Sequence, residues 1–184
     1  VSLPANDSDA KVAWMSGGAL AVGDRSGAVR VWALDDVDGA VLATHRPHRS
    51  AVLKIVALDG DEIATAAADG TAKVWSASSG EVRLVLEGHT GDVNSVAVDA
   101  PSQLAVTGAT DRTVVIWNLR DGSCQSRLVG HIGTVWRVAL SPPRISTVTS
   151  SGVTRRGAWS WSLVNPGSAR PASFARRCGA WEGL

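Results

Sequence analysis

Apolar and polar residues alternate with a period of two along much of the first 140 residues. In the segment TAKVW, residues 72 and 74 would face one side of a strand, and residues 71, 73 and 75 the other. The segments DVNSVAV, from Asp92, and LAVTGA, from Leu104, show the same alternation and are rich in β-branched residues. No useful length of chain shows a helical period of 3.6 residues. The pattern predicts an all-β protein of short strands.

These segments belong to a repeat of about 42 residues. Two landmarks share the period: a Trp that ends one apolar segment and a His that precedes another. The Trp landmarks are Trp32, Trp75 and Trp117, spaced 43 and 42 residues apart, and the His landmarks are His48, His89 and His131, spaced 41 and 42 apart. Each unit is expected to hold four strands: one after the His, one near residues 64–66, one ending at the Trp, and an outer one such as residues 82–86.

Composition narrows the class of protein. The chain has 184 residues, with eight Trp, one Phe and no Tyr, so Trp is selected over other aromatic residues. Two cysteines are too few for a disulfide scaffold or a Cys-based zinc site. The chain has no run of 18 apolar residues, and its first residues do not show a basic region followed by an apolar one. We therefore expect a protein of the cytoplasm, or alternatively the nucleus, without a membrane partner.

The charge is divided unevenly along the chain. Residues 1–143 contain 12 Lys and Arg against 16 Asp and Glu, whereas residues 144–184 contain 6 against 1. We expect residues 165–184 to be a disordered basic tail. Two alternatives remain for this region: an arm that binds nucleic acid through its arginines, and a C-terminus read in a shifted frame.

The repeats resemble those of the WD-repeat β-propeller family, which has about 40 to 45 residues and four strands per blade. Gly88-His89, Asp111 and Trp117 carry the closest match, although the Asp that usually follows the Trp is absent. The resemblance implies about four blades of an incomplete propeller, at residues 5–43, 44–86, 87–128 and, in degenerate form, 129–164. Since the family usually closes with seven blades, we expect the chain to self-associate or to be part of a longer propeller.

The family also implies a structural tetrad in each blade, made of His, Ser or Thr, Asp and Trp. By position, one tetrad would be His48, Thr65, Asp69 and Trp75, and another His89, Thr107, Asp111 and Trp117. A hydrolase triad is the alternative interpretation of such residues. Because the set recurs at the blade period and no GxSxG turn is present, we expect no catalytic residues, no metal site and no cofactor. In the first unit Ser26 replaces the turn Asp, with Asp24 nearby, and in the fourth Arg155 stands at that position.

The family's usual function is protein binding on the narrow rim of the propeller. By position, the rim residues would be Arg25, Ala51, Leu53, Ala68, Asp92, Asn94, Thr110, Thr134 and Trp136. Trp136 is the preferred anchor; its alternative role is packing between blades. We therefore expect a non-catalytic protein-interaction scaffold.

Two alternative functions remain. The segment DGSCQSRLVGHIGTVW, from Asp121, is similar to outer strands of F-box propellers, which suggests a regulatory or substrate-recognition module of a larger enzyme or ubiquitin-ligase complex. The rim positions at which those proteins carry Arg hold Leu53, Asn94 and Trp136 here. Nucleic-acid binding through the basic tail is the second alternative.

Overall fold

The structure, a computed structural model, describes residues 11–33 and 40–140, together with the backbone of residues 161–164 and 174–176. All regular elements in this part of the chain are β-strands. In chain order they are β1 (Lys11–Trp14), β2 (Ala19–Gly23), β3 (Val29–Ala33), β4 (Val41–His45), β5 (Val52–Ala57), β6 (Glu62–Ala67), β7 (Thr71–Ser76), β8 (Val82–Glu87), β9 (Val93–Asp99), β10 (Leu104–Ala109), β11 (Val114–Asn118), β12 (Cys124–Val129), β13 (Arg137–Leu140), β14 (Trp161–Val164) and β15 (Phe174–Arg176). The predicted all-β class is confirmed.

The first twelve strands form three antiparallel meanders, which we call blades 1, 2 and 3. Blade 1 contains β1 to β4, blade 2 contains β5 to β8, and blade 3 contains β9 to β12, each in sequence order across the sheet. Trp32, Trp75 and Trp117 lie on the third strands β3, β7 and β11, as their common spacing predicts. The four-stranded unit read from the sequence is therefore correct for these blades.

Each repeat Trp also marks an irregularity in the pairing of the third strand with the outer strand. The register shifts between Val31 and Trp32 in blade 1, between Val74 and Trp75 in blade 2, and one step before Trp117 in blade 3. A bulge increases the local twist of a strand. In all three blades, therefore, the outer strand changes its pairing register at the Trp of the third strand.

The apolar core lies between the blades. Trp75 packs with Met15 and Val31 of blade 1, in a cluster that joins blades 1 and 2. Trp117 packs with Val74 and Leu86 of blade 2, in the cluster that joins blades 2 and 3. Trp75 and Trp117 therefore each lie against the blade before their own, and the first strands β1, β5, β9 and β13 follow one another along one side of the array.

Two glycines on second strands allow this close packing. A Cβ atom on Gly23 would lie 2.7 Å from Cγ1 of Val52, and one on Gly108 would lie 2.5 Å from Cγ1 of Val135. Carbon atoms do not approach so closely without displacement of the backbone or side chain. In both cases the intruding Val belongs to the next unit, so a glycine at this position lets the following first strand approach.

The fourth unit differs from a blade. Its first strand, β13, pairs directly with β14, so that Leu140 lies opposite Trp161. The sequence pattern predicted Trp161 at the end of a third strand, which in a blade is separated from the first strand by the second. Residues 141–160, which include Arg155, lie outside the described residues.

The basic tail also differs from the expected disorder in one place. Residues 174–176 form β15, which pairs antiparallel with the outer strand β12 of blade 3. The outer strand of a blade has one edge without a partner, and an extended segment satisfies its backbone groups by pairing there. The other residues of 165–184 lie outside the described part of the chain.

Candidate functional site

In blade 2, four side chains from three parts of the unit form one hydrogen-bonded chain. Nε1 of Trp75 donates to Oγ1 of Thr65 over 3.0 Å. Oγ1 of Thr65 lies 2.8 Å from Nε2 of His48, and Nδ1 of His48 lies 2.9 Å from Oδ2 of Asp69. His48, Thr65 and Trp75 are buried. The structure thus brings together the four residues of the tetrad expected in this blade.

Blade 3 repeats the arrangement with nearly the same distances. Nε1 of Trp117 donates to Oγ1 of Thr107 over 2.8 Å. Nε2 of His89 lies 2.7 Å from Oγ1 of Thr107, and its Nδ1 lies 2.8 Å from Oδ2 of Asp111. The second expected tetrad is therefore also assembled.

The donors in these chains can be assigned from the available hydrogens. If the His is neutral and carries its proton on Nδ1, the indole N–H donates to the Thr oxygen, the Thr O–H donates to Nε2, and Nδ1–H donates to the carboxylate. Every donor then has an acceptor. A doubly protonated ring would donate to the Thr oxygen and leave the buried hydroxyl hydrogen without an acceptor in the tetrad, which costs free energy. The geometry favours the neutral ring.

The electrostatics of His48 agree with this assignment. Burial lowers the pKa of His48 below its ordinary value, and this effect exceeds the opposing attraction of Asp69. A lowered pKa stabilises the neutral form that the tetrad requires.

The turn carboxylates are held in the ionised form. Burial alone would raise the pKa of Asp111, but hydrogen bonds from His89, Thr113 and the backbone of Thr90 outweigh it, so the pKa of Asp111 lies well below its usual range. The pKa of Asp69 is lowered in the same way, with the Thr71 hydroxyl and the Arg49 amide as donors against the effect of burial. These aspartates are acceptors that organise their turns.

Sequence reasoning missed a fifth member of each cluster. Oγ1 of Thr71 donates to Oδ1 of Asp69 over 2.7 Å and lies 3.3 Å from Nδ1 of His48. Oγ1 of Thr113 lies 2.8 Å from Oδ1 of Asp111 and 3.2 Å from Nδ1 of His89. The signal was present, because the pattern Asp-x-Thr occurs in both turns at the repeat period.

In blade 1, Asp24 accepts the hydrogen bonds of the turn between the second and third strands. Oδ1 of Asp24 accepts hydrogen bonds from the amide and hydroxyl of Ser26, at 2.8 and 2.6 Å, and from the amide of Ala28 at 3.1 Å. Its Oδ2 lies 3.1 Å from the guanidinium of Arg30. Burial opposes ionisation, but the Ser26 contacts outweigh it and the pKa of Asp24 is lowered. The turn carboxylate of blade 1 thus lies two residues before the position that Asp69 and Asp111 occupy in their blades.

His131 begins the fourth unit in a different state from its two counterparts. Its Nε2 atom is buried and forms no hydrogen bond with any residue in the described part of the chain. In blades 2 and 3 the corresponding atom contacts a Thr on the second strand of the same blade. In the fourth unit β14, and not a strand directly following the first, pairs with the first strand.

The residues expected on the rim differ in exposure. Trp136 is 57% exposed. Asn94 is half-buried, and its Nδ2 donates to the backbone oxygen of Val135 over 3.1 Å, which ties blade 3 to the fourth unit. Of the remaining rim residues, Arg25 and Asp92 are exposed, and Ala51, Leu53, Ala68, Thr110 and Thr134 are half-buried.

Three of these rim residues line one cleft. Leu53, Asn94 and Trp136 contribute to a cavity of about 530 Å3, which is also lined by Lys11, Lys54 and Arg137. The cleft therefore lies along the first strands of blades 1, 2 and 3 and the fourth unit. We call it the first-strand cleft. A smaller cavity of about 240 Å3 lies between blades 1 and 2 near Met15 and Asp61.

No group of three or more His, Cys, Asp or Glu side chains among the described residues is arranged to hold a metal ion. None of the described segments is a helix long and apolar enough to cross a membrane.

Comparison with known families supports the repeat assignment. The WD40 family model, described as "WD domain, G-beta repeat", matches residues 39–76 and 80–118. Each match contains the outer strand of one blade and the first three strands of the next. One sequence repeat therefore contributes to two adjacent blades and connects them covalently.

Two similar proteins give the same result. The chain is 40% identical over 65 residues to the WD repeat-containing protein pop1 of Schizosaccharomyces pombe (strain 972 / ATCC 24843), which covers 35% of this chain and 8% of that protein. The crystal structure of the computationally designed Ika8 protein superposes with a TM-score of 0.64 at 26% identity, covering 72% of this chain and 40% of that chain. The chain thus spans less than half the length of each protein. Residues 39–118 therefore contain two WD repeats, and the three meandering sheets resemble the blades of a WD-repeat propeller.

Proposed function

We propose that this chain is a non-catalytic scaffold that binds a protein partner through the first-strand cleft and the rim around it. WD40 repeats support a role in protein interaction in general. The observation that carries the proposal is Trp136, a 57% exposed Trp on the wall of the cleft. A large aromatic side chain beside a concave surface is the typical energetic anchor of a protein interface.

The tetrads support the non-catalytic part of the proposal. The ring nitrogens of His48 and His89 are both engaged within their blades, and both rings have fully buried side chains. A general base needs an open approach to its substrate. These histidines instead connect the second strand to the turn.

The experiment is affinity capture with two matched variants of the full chain. Trp136→Ala removes the cleft anchor, whereas Val85→Ala removes an apolar side chain that is 42% exposed on β8 and does not line the cleft. We expect one protein to be retained by the wild type and by Val85→Ala and to be lost with Trp136→Ala. Equal retention by both variants, with their fold verified by circular dichroism, would contradict the assignment of the cleft.

A further inference from the structure

The geometry points to an acidic peptide segment, rich in Asp or Glu, as the ligand of the first-strand cleft. This inference rests on the proposed function and specifies the chemistry of the partner. It is carried by three basic side chains that share the cleft with Trp136: Lys11, Lys54 and Arg137.

The three cations occupy one equivalent position on three of the four first strands. Lys11 lies opposite Gly23, and Lys54 lies opposite Ala66. Each of these partners stands nine residues before the Trp of its own blade. Arg137 follows His131 by six residues, as Lys54 follows His48. A regular tier of positive charge therefore lines the cleft, and we call these three residues the basic tier.

Blade 3 interrupts the tier with Ser95, which is opposite Gly108. Oγ of Ser95 accepts a hydrogen bond from the backbone N–H of Val138 over 3.3 Å. The serine thus uses its polar atom to hold the fourth unit in place. The other three positions keep long side chains that reach into the cleft.

The charges of the tier are not neutralised within the described part of the chain. The side chains of Lys11, Lys54 and Arg137 form no hydrogen bond or ion pair with any residue there. None of the described residues lining the cleft is acidic. Like charges around one concave surface raise its positive potential, and a ligand with carboxylates would relieve their mutual repulsion.

Trp136 adds an apolar requirement to the charge. Trp136 lines the cleft together with the apolar residues Leu53 and Val138. Lysine and arginine bind carboxylates, while an indole face binds an aliphatic or aromatic side chain. The complementary ligand is a peptide that carries an apolar residue within an acidic run.

The small extent of the basic surface favours a short peptide over a nucleic acid. A polyanion of many phosphates needs a long basic groove, whereas three cations line the cleft. A cleft of about 530 Å3 with three cations suits a short segment.

The test is fluorescence anisotropy with the full chain and a short fluorescein-labelled peptide of glutamates around one leucine. Lys54→Gln/Arg137→Gln removes two charges of the tier. Arg49→Gln/Arg120→Gln is the matched control, because both arginines are exposed, do not line the cleft and form no side-chain hydrogen bond in the described part. We expect the tier variant to bind the peptide about fivefold more weakly or worse, and the control to bind as the wild type does.

Two further ligands define the outcomes. A lysine-rich peptide should not bind. The wild type should bind an all-glutamate peptide more weakly than the leucine peptide, whereas Trp136→Ala should bind these two peptides with equal affinity. Equal loss in both double variants, or tighter tier-dependent binding of a single-stranded oligonucleotide, would overturn the proposal. If the acidic peptide does not bind while Trp136-dependent capture persists, the acidic ligand is wrong and the scaffold function stands; failure of both removes the cleft as a site.

Discussion

The indole N–H of Trp117 and the hydroxyl of Thr107 are joined by a 2.8 Å hydrogen bond between the third and second strands of blade 3. The same pair in blade 2, Trp75 and Thr65, is joined over 3.0 Å. In both blades the Thr oxygen also contacts a His that precedes the first strand. One buried hydroxyl therefore connects the second strand, the third strand and the segment before the first strand, and its removal should affect the whole blade.

Thr107→Val should destabilise the fold, whereas Thr107→Ser should not. Valine preserves the shape of the side chain but leaves the buried groups of Trp117 and His89 without their partner. We expect a loss of about 1 to 3 kcal/mol in the free energy of unfolding for Val. The Ser variant keeps the hydroxyl and should recover most of it. Urea denaturation measures both, and equal stability of the two variants would contradict the role of the hydroxyl.

Two aspartates of the same unit should differ in their effect on stability. Asp111→Ala removes an acceptor of His89, Thr113 and the Thr90 amide, and we expect it to lower the free energy of unfolding by about 1 to 3 kcal/mol. Asp92 is exposed on the rim, and Asp92→Ala should change stability by less than about 0.5 kcal/mol. Chemical denaturation that gives equal values would show that these carboxylates have been assigned the wrong roles.

The sequence was sufficient to predict the features common to the repeats but not the features in which single units differ. The spacing of Trp75 and Trp117 was sufficient for the strand order of blades 2 and 3, because their period and alternation agree. The moved carboxylate of Asp24 was noticed but not assigned, since only coordinates show which turn amides it accepts. The basic tier was missed although Lys54 and Arg137 each follow a landmark His by six residues. Only the coordinates show that these positions line one cleft together with Lys11.

Stability should decrease as the pH is lowered. Burial lowers the pKa of His48 in the folded chain, so the unfolded chain binds more protons below the ordinary His value. The free energy of unfolding should therefore fall as the pH decreases from about 7 to about 5. The pKa of Asp111 is also lowered in the folded state. Its stabilising contribution is complete above about pH 4 and is lost at lower pH.

The pH effect can be assigned to His48 with one variant. His48→Gln has no titrating ring, and its free energy of unfolding should depend less on pH between about 7 and 5 than that of the wild type. The measurement is a series of denaturation curves at several pH values. The quantity to compare is the slope of the free energy of unfolding against pH. The absolute stability is not compared, because Gln also alters the hydrogen bonds to Thr65 and Asp69. A wild type that gains stability as the pH falls through this window would show that the charged His is favoured.

The isolated chain should associate through the face of blade 1 that has no preceding blade in the described structure. Val12 is 50% exposed and lies opposite Val22. Its equivalents in blades 2 and 3, Ile55 and Val96, are only 3% and 1% exposed, because each blade packs against the one before it. Trp14, on the same strand, is 65% exposed. An apolar blade face in water promotes association.

Two substitutions of the same type separate this face from other exposed apolar residues. Val12→Lys places a charge where a blade would pack, and we expect it to weaken self-association by at least about tenfold, because burial of an unpaired charge costs several kcal/mol. Val85→Lys is the control, since Val85 is 42% exposed on the outer strand β8. Light scattering coupled to size-exclusion chromatography should show larger species for the wild type and Val85→Lys than for Val12→Lys. A monomeric wild type with a radius of gyration near the roughly 16 Å of a compact domain of this length would refute the prediction.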